Sequence, residues 1–159
     1  MENCLWMLSR FSTLLWSMKF SGYWCNIHRP DGFSPPEFPI LTEDGVRSPD
    51  VVWITIERRR QTISDSAASI APEICVEVMS PGNTMAQMQK KGGLYLQAGA
   101  LEYWICDESQ KLHFFSQTEK LPKSDIIPSF PSSITLDWVC LTRCDSNWVR
   151  TPIYNTVLL

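Results

Sequence analysis

Cys4, Leu8, Phe11, Leu15 and Met18 fall at i, i+4, i+7, i+11 and i+14, the spacing of one helical face, which predicts an amphipathic helix over residues 3–18. Residues 30–48 carry Pro30, Pro35, Pro36, Pro39, Gly32 and Gly45 and read as loop with at most short edge strands. The pattern then changes. Residues 51–56 (Val-Val-Trp-Ile-Thr-Ile) are apolar and β-branched nearly throughout, as in a strand covered on both faces. Residues 57–72 are polar and irregular, with Arg58-Arg59-Arg60 at their head. Residues 73–79 (Glu-Ile-Cys-Val-Glu-Val-Met) form a second strand, which Ser80-Pro81-Gly82 stops. Asn83 or Thr84 caps a helix over 85–98, and Gly99 ends it. Residues 101–106 and 111–116 read as a hairpin across the turn Asp107-Glu108-Ser109-Gln110. A Pro-rich segment leads to a last strand over residues 134–138, and 139–159 show no clear period. This order of helix, strands, helix and strands predicts an α/β fold, a mixed sheet with helices packed on it.

Composition narrows the class. The chain has 159 residues, 44% hydrophobic and 19% charged, which excludes wholesale disorder and fibrous repeats and suits one domain. A net charge of −3 argues against coating nucleic acid non-specifically, though not against a local basic groove. No apolar run approaches the length of a membrane span. Glu2 and Arg10 interrupt what would otherwise resemble a signal peptide, so a cytoplasmic location is expected. The six cysteines show no C-x-x-C pair and no zinc spacing with histidine; they read as small packed hydrophobes. Trp53 and Trp104 read as core, and neither His28 nor His113 is assigned to a metal.

Three charged residues break the pattern of the elements that hold them. Asp50 stands directly before the apolar strand at 51–56. Glu77 lies between Val76 and Val78 in the middle of the next strand. Lys91 sits on the stripe Thr84, Met88, Lys91, Tyr95, Ala98, which should face the sheet. Singly, each has a bland explanation: a turn residue, a solvated strand edge, a lysine reaching the helix rim. A charge aimed at a core is expensive unless it is paired or binds a metal. Two carboxylates and an amine on adjoining elements suit metal-dependent hydrolysis, because hard ions such as Mg²⁺ prefer oxygen ligands and take phosphate oxygens and waters as the rest.

The segments RSPDVVWI (47–54), PEICVEVMSPGNT (72–84), MQKKGGLYLQAGALEYWICDE (88–108) and IIPSFPSSITL (126–136) resemble the Uma-two (DUF820) family of restriction endonucleases, in the PD-(D/E)XK nuclease superfamily. The likeness runs from about residue 30 to 138. It implies a restriction-endonuclease-like mixed sheet flanked by helices, with a divergent N-terminal helix at 1–20, the domain at 21–138 and a tail at 139–159. It further implies a Mg²⁺- or Mn²⁺-dependent endonuclease acting on DNA. Asp50 and Glu77 would be the metal-holding carboxylates, helped by the Val78 carbonyl. Met79 stands where the superfamily lysine usually lies, which points to Lys91, with Lys90 the alternative by register. Ser80 and Glu102 match further family positions and are candidate supporting residues, Ser80 equally readable as a strand-ending cap.

The chain departs from the family pattern in its first twenty residues, in Gly92-Gly93 where helix formers are usual, and in Gln87, Gln89 and Lys90 where acidic residues are usual. These departures keep a second reading open: a family member without activity that binds DNA or protein. The apolar N-terminal helix also offers a surface for a homodimer. Arg58–Arg60, with Arg47, are either phosphate contacts or a solvated basic run.

Overall fold

Alternation along the strands sorts the central side chains into two layers, and the computed structural model shows both layers covered. It describes residues 20, 23–24, 31–35, 37–62 and 66–134. The expected helix at 3–18, the tail, His28 and four of the six cysteines lie outside the described residues, as does the last expected strand beyond residue 134.

The elements are β1 (Gly32–Phe33), β2 (Ile40–Thr42), β3 (Gly45–Arg47), β4 (Val51–Thr55), α1 (Ile56–Thr62), β5 (Ile74–Val78), α2 (Met85–Gln97), β6 (Glu102–Cys106), β7 (Leu112–Phe115) and β8 (Lys120–Leu121). Six strands form one mixed sheet in the order β1-β4-β5-β6-β7-β8, and β2 with β3 makes a separate hairpin. β5 and β6 run parallel, with Glu77 beside Ile105, and α2 is the crossover between them. The other neighbours in the large sheet are antiparallel. The mixed α/β architecture is the one expected. The tight turn Asp107–Gln110 joins β6 to β7, again as the pattern predicts.

One layer of the core holds Val51, Trp53, Ile74, Val76, Trp104 and Phe114, covered by Phe20, Trp24, Ile127, Phe130 and Ile134. The opposite layer holds Val52, Ile54, Cys75, Tyr103 and Ile105, covered by Met88 and Tyr95 of α2. Burial on both faces is why β4, β5 and β6 read as continuous apolar runs. Trp53 and Trp104 are core residues, and Cys75 and Cys106 are buried in the core as well.

α2 starts where expected. Thr84 accepts from the Gln87 N–H, and the Gln87 side chain accepts from the Thr84 N–H, a reciprocal cap. Gly99, at φ +102°, ends it. Gly92 sets how closely the helix lies on the sheet: a Cβ there would stand 2.1 Å from the Tyr103 ring, whereas one at Gly93 would meet nothing within 4 Å.

The stretch 57–72, expected to be irregular, contains α1. Seven residues with a single buried side chain, Thr62, are too short to show a period. Arg58 is not a free phosphate contact. Its Nη1 donates to the carbonyls of Ala71 and Gly99 at 2.9 Å each, and its Nε lies 3.3 Å from Glu73. Arg47 is paired with Asp44, and the Arg59 guanidinium lies 5.7 Å over the Phe38 ring.

Candidate active site

Strand register builds the site. Val51 pairs with Val76, so Asp50, one residue before β4, stands beside Glu77 at the end of β5. The Asp50 carboxylate Oδ2 accepts from the Val78 N–H at 2.8 Å, which holds it against that strand end. Glu77 points into the helix-side layer, as Cys75 does two residues earlier, and is only 2% exposed. From α2, the Lys91 Nζ lies 2.7 Å from Glu77 Oε1, and the Tyr95 hydroxyl donates to the same oxygen at 2.9 Å. Lys91 keeps about a third of its side chain exposed, so its ammonium spans the buried carboxylate and the solvent edge.

Asp50, Glu77 and Lys91 are thus brought together from three separate elements. Burial is the largest influence on Glu77, followed by the neighbouring Asp50 charge; Lys91 and Tyr95 pull the other way, and the carboxyl sits at about 7. Burial and the Glu77 charge push the Tyr95 hydroxyl well above the usual phenol range, so it serves as a donor. Tyr95 lies on the Lys91 stripe, and only the structure shows its contact with Glu77. Its signal was there: four residues after Lys91 on the same helical face is where a second side chain reaches the same partner.

The donor set suits a hard divalent cation. Oε2 of Glu77 and Oδ1 of Asp50 accept no hydrogen bond from the described residues, while their partner oxygens are already engaged. Among the described residues no cluster of three His, Cys, Asp or Glu surrounds a single point. Two carboxylates with water and phosphate oxygens making up the rest is the pattern for Mg²⁺ rather than for an all-protein cage.

The remaining sequence candidates lie elsewhere. Glu102 faces the opposite side of the sheet, with Trp104. Its carboxylate accepts from Trp104 Nε1 at 2.7 Å and from the N–H groups of Asp125 and Ile126 at 2.8 and 2.9 Å. It clamps the segment that covers the other core layer and does not reach Glu77. Ser80 is exposed in the turn after β5, where its carbonyl accepts from the Asn83 N–H at 3.0 Å. Lys90 is exposed, which leaves Lys91 as the lysine paired with Glu77. Met79 packs against the helix-side core. The lysine that meets Glu77 comes from α2.

The mixed sheet carries two carboxylates and a lysine at one strand end, and its fold is shared with known proteins. The fold is similar to the crystal structure of "a putative nuclease belonging to DUF820" from Anabaena variabilis ATCC 29413, with a TM-score of 0.57 over 74% of this chain and 75% of that one. At 17% identity the likeness is one of fold. The chain itself belongs to the Uma2 family, described as "Putative restriction endonuclease", whose model matches residues 10–138. No curated protein matches the chain. Among the described residues no helix is long and apolar enough to cross a membrane.

Proposed function

We propose that the chain is a metal-dependent endonuclease that hydrolyses phosphodiester bonds of DNA. The observation that carries this reading is the shared Oε1 of Glu77, held at once by Lys91 and Tyr95 beside the Asp50 carboxylate. Asp50 and Glu77 would hold Mg²⁺ or Mn²⁺ through their open oxygens, with the Val78 carbonyl as a further oxygen donor. Such an ion, when bound, lowers the pKa of water and neutralises charge on phosphoryl oxygens.

The chain's own residues then have separate tasks. Asp50 is pinned by the Val78 N–H, so its open oxygen is fixed in direction. Tyr95 and Lys91 orient Glu77, and a bound cation would offset the mutual repulsion of the two carboxylates. Lys91, at the solvent edge, is placed to orient the attacking water and to offset negative charge as it develops on the phosphate. The departure at Gly92 that favoured a family member without activity has a packing reason, since any side chain there collides with Tyr103.

Purified protein with supercoiled plasmid and Mg²⁺ is expected to nick it, and Asp50→Ala or Glu77→Ala to abolish nicking. Equal nicking by wild type and both variants would overturn the assignment of the site. Saturable binding of DNA without nicking in any divalent metal would favour the binding-module reading instead.

A further inference from the structure

The cross-strand row that carries the candidate site does not stop at Glu77. Glu77 is beside Ile105 on β6, and Ile105 is beside His113 on β7. Side chains level with one another in neighbouring strands lie on the same face, so His113 shares the helix-side face with Glu77. Two strand spacings separate them, about 10 Å. His113 belongs to neither core cluster, and with 16% of its side chain exposed it is the polar residue of a strand whose neighbours Leu112 and Phe114 are buried.

The ring is oriented from behind. Its Nε2 lies 2.7 Å from Asp107 Oδ2, in the turn that leaves β6. The other Asp107 oxygen is occupied by Ser109 N–H, Ser109 Oγ–H and Lys111 N–H, so the carboxylate cannot swing away. Burial pushes the Asp107 carboxyl up, but hydrogen bonds from Ser109 and His113 outweigh it and hold the group at about 2, ionised at any working pH. With Nε2 committed to Asp107, Nδ1 is the outward nitrogen, and among the described residues it has no hydrogen-bond partner. Asp107 follows β6 and touches the ring, Lys111 precedes β7, and Glu77 lies two strands away.

We infer that His113, held by Asp107, binds a backbone phosphate of the nucleic acid flanking the one that meets Asp50 and Glu77. This rests on the nuclease reading above and adds a substrate-binding residue to it. Phosphates recur about every 3.4 Å along the axis of each strand, so a chain crossing this strand end has one within reach of a group some 10 Å from the scissile position. A protonated ring donates from both nitrogens, Nε2 to Asp107 and Nδ1 to the phosphate. The bond is then charge-assisted and carries no base specificity.

The test is fluorescence anisotropy of the full chain with a labelled 20-base-pair duplex in EDTA at pH 6, where cleavage is suppressed, across a range of salt. His113→Ala is expected to weaken binding roughly tenfold and to lower the slope of log affinity against log salt by about one. His113→Lys is expected to retain the wild-type slope. Wild-type binding with an unchanged affinity and slope in His113→Ala would overturn this inference and leave the nuclease reading standing. A natively folded His113→Lys that binds as weakly as His113→Ala would assign the loss to packing and overturn it too. Absence of saturable binding by the wild type, to duplex or to its single strands, would overturn both.

Discussion

Glu77 concentrates the chemistry in one side chain. A carboxylate only 2% exposed, beside a second carboxylate, is costly to ionise, and Lys91 and Tyr95 offset only part of that cost. Its folded-state value of about 7 lies above the ordinary 4.5. Glu77 therefore contributes full stability below about pH 4.5, and the contribution is lost as pH rises through about 7. Metal-free protein should unfold at lower urea at pH 8 than at pH 5 on this account, and Glu77→Gln should flatten the difference. A variant as pH-sensitive as the wild type across that interval would place the titrating group elsewhere. The glycine pair gives a second prediction. Gly92→Ala forces a methyl into the Tyr103 ring and should lose about 1–3 kcal/mol, while Gly93→Ala, in open space, should gain up to about 1 kcal/mol. Thermal melts of the two variants check the contrast, and equal effects would contradict the close approach of α2 to β6.

Elements explain which parts of the site could be read before the structure. Asp50, Glu77 and Lys91 were legible because each is a charge at a position whose neighbours predict burial. Glu102 entered only through the family resemblance, and it holds the backbone of Asp125 and Ile126 on the other face. Period-two alternation tells which residues of one strand share a face, but not which face of the next strand matches it. Only the register, Ile74 beside Glu102 and Glu77 beside Ile105, puts Glu102 and Glu77 on opposite sides. Glu102→Ala should thus destabilise by about 2–4 kcal/mol, since it strips three donors of their acceptor, without altering metal affinity. A urea titration paired with a Mn²⁺ titration separates the two effects, and a large loss of Mn²⁺ affinity in the folded variant would contradict this placement. α1 was illegible for another reason. Its stability comes from long-range contacts, Arg58 to the carbonyls of Ala71 and Gly99, that no local period announces.

For the whole molecule, the mixed sheet is the device that brings distant residues to one strand end. Asp50 and Glu77 arrive there by antiparallel pairing of β4 with β5, and Lys91 and Tyr95 by the crossover helix that a parallel β5–β6 pair requires. His113 arrives by one further hairpin. Family membership over residues 10–138 agrees with this architecture, while the chemistry depends on whether the two carboxylates grip a cation together. Calorimetric titration of the full chain with Mn²⁺ at pH 7 measures that directly. One saturable site in the wild type, lost in Asp50→Ala and in Glu77→Gln, is the predicted result; an identical isotherm in a folded Asp50→Ala, or no saturable site in the wild type, would contradict it.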